Sequence, residues 1–362
     1  MKRRRTQEVP LGPLVVGGNH PIWVEAMGRR HPRDWEACLE EIDRAFSRGC
    51  EIFRIAVFDE EGIEGLREIR KHRRTLPLVA DIHFTIRLAF QAISAGVDAV
   101  RVNPGTVHDR SALESLIDVA RDQGVVLRIG ANVGSLPPKL RAKERTQALL
   151  ESIAELVDLA EKKGMKRLIL SAKSSDIEET VVTYEKLSES FSYPLHVGLT
   201  EAGSGIEGIV KSSVALGILL REGIGDTIRV SLTSKSPVLE TEVGWEILKA
   251  LGVRLRGVTL ISCPTCARAR GDVVSFVREF RRAIAPLEGV AGIRKLKVAI
   301  MGCEVNGPGE AKEADFGIAL SGGKKAVLFA RGEVIGVVPQ EEGIAELISL
   351  VQEAMKGEER SP

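Results

Sequence analysis

A basic excess, a long apolar run and an even set of cysteines are all missing from this chain. Its 51 Lys and Arg are offset by 50 Asp and Glu, a net charge of +1. Binding to a nucleic-acid backbone normally needs a clear surplus of cations, so such a partner is not expected. The Lys-Arg-Arg-Arg run at residues 2–5 reads as a solvated terminus. No apolar run approaches the roughly 20 residues that span a bilayer. None follows the basic start as it would in a secretory signal. The five cysteines are odd in number and include one tight pair. That usage argues against a disulfide framework and for metal binding in a reducing compartment. Histidine is absent after His196. These absences lead to the expectation of a cytoplasmic globular protein without a nucleic-acid or membrane partner.

What is present is a repeated grammar. With 362 residues, 44% hydrophobic and 28% charged, the chain can carry a barrel and an appendage. Apolar, β-branched segments at residues 21–27, 51–57, 77–82, 99–103, 125–132, 167–173, 194–200 and 227–233 read as strands. Each precedes a stretch of helical period, near 33–48, 60–74, 85–95, 109–123, 139–163, 176–190, 205–222 and 237–251. Glycines at 49, 96, 124, 164 and 252 stand where helices stop before the next strand. Eight such units predict a (β/α)8 TIM barrel over residues 1–251, with an open doubly wound sheet as the fallback. The glycine-rich piece at 9–19 is expected to plug or flank the barrel bottom. Residues 258–362 change character. Short strands at 259–262, 297–300, 316–320, 326–330 and 333–338 and helices at 272–284 and 342–355 predict a small α+β domain. Arg331-Gly332-Glu333 marks a hairpin within it.

Barrel enzymes work at the C-terminal ends of their strands. Four of those ends carry Arg54, Arg101, Arg128 and Arg229, and a fifth carries Lys173. Cations embedded in apolar strands are costly to bury unpaired. The same ends offer few carboxylates: Asp81, Glu201 and Glu25. Such a surplus suits a substrate with two phosphates, which arginine grips in bidentate fashion. Pairing of some arginines inside the strand layers is the competing reading. Asn103, Asn132, Ser231, His83 and His196 supply further polar ends. By contrast His20, His31, His72 and His108 read as loop or surface residues. Cys38 and Cys50 read as small core residues.

The remaining three cysteines form the second centre of chemistry. Cys263-Pro264-Thr265-Cys266 places two thiols to close on one metal centre, and Cys303 follows in Gly302-Cys303-Glu304-Val305-Asn306-Gly307-Pro308-Gly309-Glu310. With no histidine nearby, the donors that remain close in sequence for a fourth position are the carboxylates of Glu304 and Glu310. Three thiolates and one carboxylate suit a [4Fe–4S] cluster with one replaceable iron better than a closed zinc site. A zinc ribbon or two buried thiols are the plainer alternatives.

These segments resemble the 4-hydroxy-3-methylbut-2-enyl diphosphate synthase family along nearly the whole chain. The resemblance rests on Ala-Asp-Ile-His-Phe (80–84), Arg-Val-Asn-Pro-Gly (101–105), Ile-Gly-Ala-Asn-Val-Gly-Ser-Leu (129–136) and Ser-Ala-Lys (171–173). It continues through His-Val-Gly-Leu-Thr-Glu-Ala-Gly (196–203), Cys-Pro-Thr-Cys-Ala-Arg (263–268) and Met-Gly-Cys-Glu-Val-Asn-Gly-Pro-Gly-Glu (301–310). It implies a barrel, a [4Fe–4S] domain ligated by Cys263, Cys266, Cys303 and Glu310, and a homodimer. The implied reaction is reduction of 2-C-methylerythritol 2,4-cyclodiphosphate to hydroxymethylbutenyl diphosphate, with electrons from ferredoxin or flavodoxin. Arg54, Asp81, Arg101, Asn103, Arg128, Asn132, Lys173, His196, Arg229 and Ser231 would hold the substrate. Lys173 would also disperse charge as the bond breaks, and Glu201 or His83 would supply the proton. The chain departs from the family at Gly28-Arg29-Arg30, where Thr-Asn usually follows the methionine, and at Ala267, usually glycine. A sulfite- or nitrite-reductase-like electron carrier and a zinc-stapled barrel without activity are the rival functions.

Topology adds one expectation. The eighth helix returns the chain to the barrel bottom, and the linker 252–258 spans at most ~25 Å fully extended. A cluster domain beginning there is expected to serve the mouth of a partner barrel, in a head-to-tail homodimer.

Overall fold

The computed structural model describes residues 3–83, 85–107, 109–288, 295–303 and 311–356. The chain divides into two compact units, Met1–Arg254 and Leu255–Pro362.

The first unit is the expected barrel. Its strands are β3 (Trp23–Met27), β4 (Ile52–Val57), β5 (Leu78–Ile82), β6 (Ala99–Val102), β7 (Val126–Asn132), β8 (Leu168–Lys173), β9 (His196–Val197) and β10 (Thr227–Ile228). They are all parallel, in the order β8-β7-β6-β5-β4-β3-β10-β9, and a bridge between Leu170 and Leu195 joins the two ends. Helices α1 (Trp35–Ser47), α2 (Glu60–His72), α3 (Ile86–Ser94), α4 (Arg110–Asp122), α5 (Arg145–Lys162), α6 (Ile177–Ser190), α7 (Gly205–Arg221) and α8 (Val238–Ala250) alternate with the strands. The helix-stopping glycines 49, 96, 124, 164 and 252 all take positive φ, as left-handed C-terminal caps require.

Three boundaries differ from expectation, each for a local reason. The fifth helix starts at Arg145 rather than near 139, because Glu144 caps it by accepting the amides of Thr146 and Gln147. Before it, 133–135 and 138–140 form single 3₁₀ turns around Pro137 and Pro138. The seventh and eighth strands keep only two ladder residues each. Beyond them Gly198 and Arg229 approach so closely that a Cβ on Gly198 would lie 2.2 Å from the Arg229 carbonyl.

Below the strands, β1 (Val9–Leu11) and β2 (Leu14–Val16) form a hairpin. Its Val9, Leu11 and Val16 pack on Ile52, Val79, Ala99, Val126 and Ile169, which lie at the N-terminal ends of their strands. The hairpin is therefore the plug of the barrel bottom. The same end fixes Arg254. Its guanidinium pairs with both Glu51 carboxylate oxygens at 2.7 and 2.8 Å, donates to the Ile22 carbonyl, and stacks against Trp245 and Trp23 at 4.5 and 5.3 Å.

The second unit is a five-stranded sheet in the order β11-β12-β13-β14-β15. The strands are Val258–Ser262, Leu296–Met301, Phe316–Ser321, Lys325–Ala330 and Glu333–Pro339. The first three are parallel and the last two antiparallel. Helices α9 (Val273–Ile284) and α10 (Gln340–Lys356) bury Phe280, Ile284, Leu347 and Val351 against Val298, Ile300 and Ile318. The expected hairpin at 331–332 is formed, with both residues at positive φ.

Leu11 has no exposed surface and its neighbours are strand residues that cannot collapse into a void. Leu11→Ala is expected to destabilise the barrel by about 2–5 kcal/mol, measured by denaturant unfolding. A loss under ~1 kcal/mol would mean that the hairpin is not part of the core.

Candidate functional site

The mouth begins with a buried ion pair. Glu25 on β3 and Arg128 on β7 have no exposed side-chain surface and meet through two contacts of 2.6 and 2.9 Å. Burial alone would raise the Glu25 carboxyl, but Arg128 and Arg54 outweigh it and hold the group below its ordinary range. Arg54 is shared, with nitrogens 3.5 Å from Glu25 and 3.6 Å from Asp81. Arg101 donates to Asp81 at 3.2 Å, to His83 Nε2 at 2.9 Å and to the Gly130 carbonyl at 2.8 Å. Burial pushes the Asp81 carboxyl up, while Arg54, His83 and Arg101 together bring it well below the usual carboxylate range.

Lys173 and His196 share the opposite wall. The Lys173 ammonium lies 3.0 Å from His196 Nε2, and His196 Nδ1 lies 2.8 Å from Thr227 Oγ1. Burial, then Lys173 and Arg128, keep the imidazole well below its ordinary pKa. The neutral ring therefore accepts from Lys173 at Nε2 and donates from Nδ1 to Thr227. Burial, then Arg229 and Arg54, likewise lower the Lys173 ammonium. Arg229 has a buried Nε with no hydrogen-bond partner, and so has the Ser231 hydroxyl. Burial, followed by Arg54, brings Arg229 down to about 10. Five basic side chains thus face two buried carboxylates, Glu25 and Asp81. Those two are taken by Arg128 and Arg101, with Arg54 between them. Among the described residues Lys173 and Arg229 form no ion pair with a carboxylate; Glu240, itself paired to Arg29, and Glu25 act on Arg229 only through space.

The loops above place the other expected residues. The Asn103 carbonyl oxygen accepts the Gly105 amide at 2.9 Å, and its amide donates to Ser135 Oγ at 2.6 Å. It therefore ties the loop after β6 to the loop after β7. Asn132 closes β7 half-buried. Glu201 is exposed and sits at φ 52, a left-handed conformation for a residue with a Cβ. Such strain costs of order 1–3 kcal/mol and concentrates at functional sites. His83 is one-third exposed beside Arg101.

One pair was invisible in the sequence. Arg29, noted only as a departure from the family pattern, reaches Glu240 Oε1 at 2.6 Å and the carbonyls of Met27, Leu232 and Ser234. Glu240 also accepts the Leu232 amide at 2.6 Å. The clasp holds the ladder-free segment that carries Arg229 and Ser231. Its members are 211 residues apart, and neither lies in a motif.

In the second unit, Cys263 follows β11 and Cys303 follows β12, two adjacent parallel strands. With Pro264, Cys266, Arg268, Ala269 and Gly302 they line a cavity of ≈ 110 Å³. Cys263 Sγ accepts the Gly302 amide at 3.1 Å. A Cβ on Gly302 would lie 3.1 Å from that sulfur and 3.0 Å from Val273, so glycine leaves the thiol its room. Thr265, inside the Cys-Pro-Thr-Cys turn, has φ 56. The Cys266 thiol is lowered by the Arg268 amide and guanidinium. Among the described residues, no three His, Cys, Asp or Glu side chains converge as a site for a single metal ion. Glu304 and Glu310 lie outside the described residues. Cys38 and Cys50 are buried in the barrel core, and burial raises both thiols, Cys38 to about 12.

Comparison with known proteins settles the family. The GcpE TIM-barrel domain matches residues 6–245, and the GcpE protein C-terminal domain matches residues 259–353. The chain belongs to the GcpE family. A relative from Caldanaerobacter subterraneus subsp. tengcongensis is 42% identical over 359 residues, covering 98% of this chain and 99% of the relative. One from Maridesulfovibrio salexigens is 44% identical over 347 residues, covering 95% of each. Both are named 4-hydroxy-3-methylbut-2-en-1-yl diphosphate synthase (flavodoxin). Among solved structures, the spore coat polysaccharide biosynthesis protein SpsE of Bacillus subtilis superposes with a TM-score of 0.50 at 10% identity, over 68% of this chain and 71% of that one. That likeness concerns the GcpE barrel's fold alone.

The Glu25–Arg128 pair yields a pH-linked expectation. Glu25 has a folded pKa below its unfolded value, so its contribution is fully present above the ordinary carboxylate range, near ~4.3. It is lost as pH falls through the folded value. Glu25→Gln leaves Arg128 buried and uncompensated, with an expected cost of about 3–5 kcal/mol at neutral pH and a flatter acid-unfolding profile. Equal stability of variant and parent at pH 7 would contradict the pairing.

Proposed function

We propose that this chain reduces 2-C-methylerythritol 2,4-cyclodiphosphate to 4-hydroxy-3-methylbut-2-enyl diphosphate, the product that its relatives' names print. The observation that carries the reading is the unmatched positive charge of the mouth: Lys173 and Arg229, with Arg54 only shared. A diphosphate supplies the missing anions. The family match sets aside the reductase-like electron carrier and the inactive zinc-stapled barrel.

The reaction consumes two electrons and, counted on neutral species, two protons. One ring C–O bond breaks, one hydroxyl leaves as water, and the acyclic diphosphate carries one more ionisable oxygen than the ring. Cations fixed before the substrate arrives stabilise that charge as it develops, without reorganisation in the transition state. Arg54, Lys173 and Arg229 would take the phosphate oxygens. Arg101 and Arg128, paired to Asp81 and Glu25, would hold the strand layer beneath. Asn103, Asn132 and Ser231 would orient the carbon chain, and His196 would fix the Lys173 ammonium. Glu201, held at the mouth by a strained turn, would deliver the proton to the departing hydroxyl, with His83 as the second donor.

The cysteine cavity fits an iron–sulfur centre by its donors: three thiols from two adjacent strand ends, one already receiving an amide hydrogen bond. A [4Fe–4S] cluster held there by Cys263, Cys266, Cys303 and Glu310 would supply single electrons at low potential. Flavodoxin, printed in the relatives' names, is the proposed donor, with ferredoxin as its substitute. Among the described residues no helix is long and apolar enough to cross a membrane, and a cytoplasmic setting suits this redox chemistry.

The chain leaves the first unit at the barrel bottom, where Arg254 is clamped between two tryptophans. This supports a homodimer in which each cysteine domain serves the partner's mouth. Lys173→Met or Arg229→Met is expected to raise the cyclodiphosphate KM at least tenfold with the iron content unchanged. Co-expressed Lys173→Met and Cys303→Ala chains should form hybrids that recover part of the activity. Unaltered kinetics in both single variants would remove the diphosphate assignment. Verified hybrids without activity would remove the shared site.

A further inference from the structure

The second unit is electrically lopsided along its sequence. Residues 255–303 contain nine Lys or Arg and three Asp or Glu, whereas residues 304–362 contain six and eleven. The cysteine half therefore carries +6 and the other half −5 in a chain whose net charge is +1. In a chain this close to neutral, a segment so charged marks a surface with an electrostatic task.

The fold concentrates that charge beside the thiols. Helix α9 buries Val273, Phe280 and Ile284, with Phe276 and Val277 packed alongside. Its other side presents Arg278, Arg281 and Arg282, all exposed. Arg268 and Arg270, also exposed, continue the basic surface along the loop that leads from Cys266 to the helix. The helix begins against the cysteine cavity: the Cβ position of Gly302 is 3.0 Å from Val273 and 3.1 Å from Cys263 Sγ. Arg278 lies five residues farther on, about 7.5 Å along the helix axis. Val274, half exposed, sits one turn before it on the same side. A small apolar spot on a basic helix face, beside the cysteine cavity, has the composition of a weak, electrostatically guided interface.

We infer that the outward face of α9, with Arg268 and Arg270, is the docking surface for an acidic one-electron carrier protein. The inference rests on the functional reading above and adds where its electron donor binds. The carrier gives up one electron at each encounter and is oxidised by one. Two encounters supply the two electrons consumed by ring opening. Charge of this kind speeds association and is sensitive to salt, while leaving the chemistry of the site alone.

The test uses the full-length holoprotein and oxidised flavodoxin as the probe. Calorimetric binding should weaken steadily as salt rises. In the Arg278→Glu/Arg282→Glu double variant it should weaken about tenfold or more at low salt. Flavodoxin-driven turnover should fall in step. Turnover driven by reduced methyl viologen, and the EPR signal of the reduced protein, should match the parent. Equal flavodoxin affinity in parent and variant would overturn the docking surface. So would a parallel loss with methyl viologen, or tighter binding of the parent to phosphatidylglycerol–phosphatidylcholine vesicles than to flavodoxin. If the parent binds flavodoxin with this charge dependence yet reduces no cyclodiphosphate with either donor, the surface stands and the substrate assignment falls.

Discussion

A guanidinium without exposed surface needs a carboxylate, and in this barrel Arg128 has Glu25. The rest of the mouth is arranged around that pair. It uses Glu25 almost entirely, Asp81 is taken by Arg101 and Glu240 by Arg29, and among the described residues Lys173 and Arg229 form no ion pair. Burial then works on the cations left over. It lowers Lys173 and Arg229, which makes an incoming dianion worth more there than in water. The same crowding keeps His196 neutral, which lets it accept from Lys173 while donating to Thr227. Positive charge held apart from its counterions is expensive, and a ligand that returns the counterions is bound in proportion.

The second unit solves a different problem with the same economy. Two adjacent parallel strands end side by side and leave Cys263 and Cys303 on one cavity. The Cys-Pro-Thr-Cys turn brings Cys266 to the same cavity through the left-handed Thr265. Gly302 keeps a side chain from filling the space. Beside this cavity the loop carrying Arg268 and Arg270 begins the basic surface that α9 continues, so the place where electrons would be stored adjoins the place where a carrier could approach.

Much of this was legible in the sequence because the signals were local. A helix needs its glycine stop within one residue, and 49, 96, 124, 164 and 252 marked five ends correctly. The arginines of the mouth were visible because each stands inside an apolar strand. Their division of labour was not visible. That Arg128 serves Glu25, 103 positions away, and that Arg29 clasps Glu240 depend on which strands become neighbours. Likewise the seventh and eighth strands shortened because Gly198 and Arg229 meet across the sheet, a contact no single segment announces. The cysteine spacing indicated a metal centre. Glu310, the proposed oxygen donor, lies outside the described residues.

The central claim is that the mouth lacks anions which the cyclodiphosphate supplies. Calorimetric titration of that compound into the intact protein and into the Lys173→Met and Arg229→Met variants, at several salt concentrations, tests it most directly. The account expects one site per chain, affinity that falls with salt, and a shallower salt dependence in each variant. Binding that ignores salt, an unchanged salt dependence in both variants, or no binding at all, would contradict it.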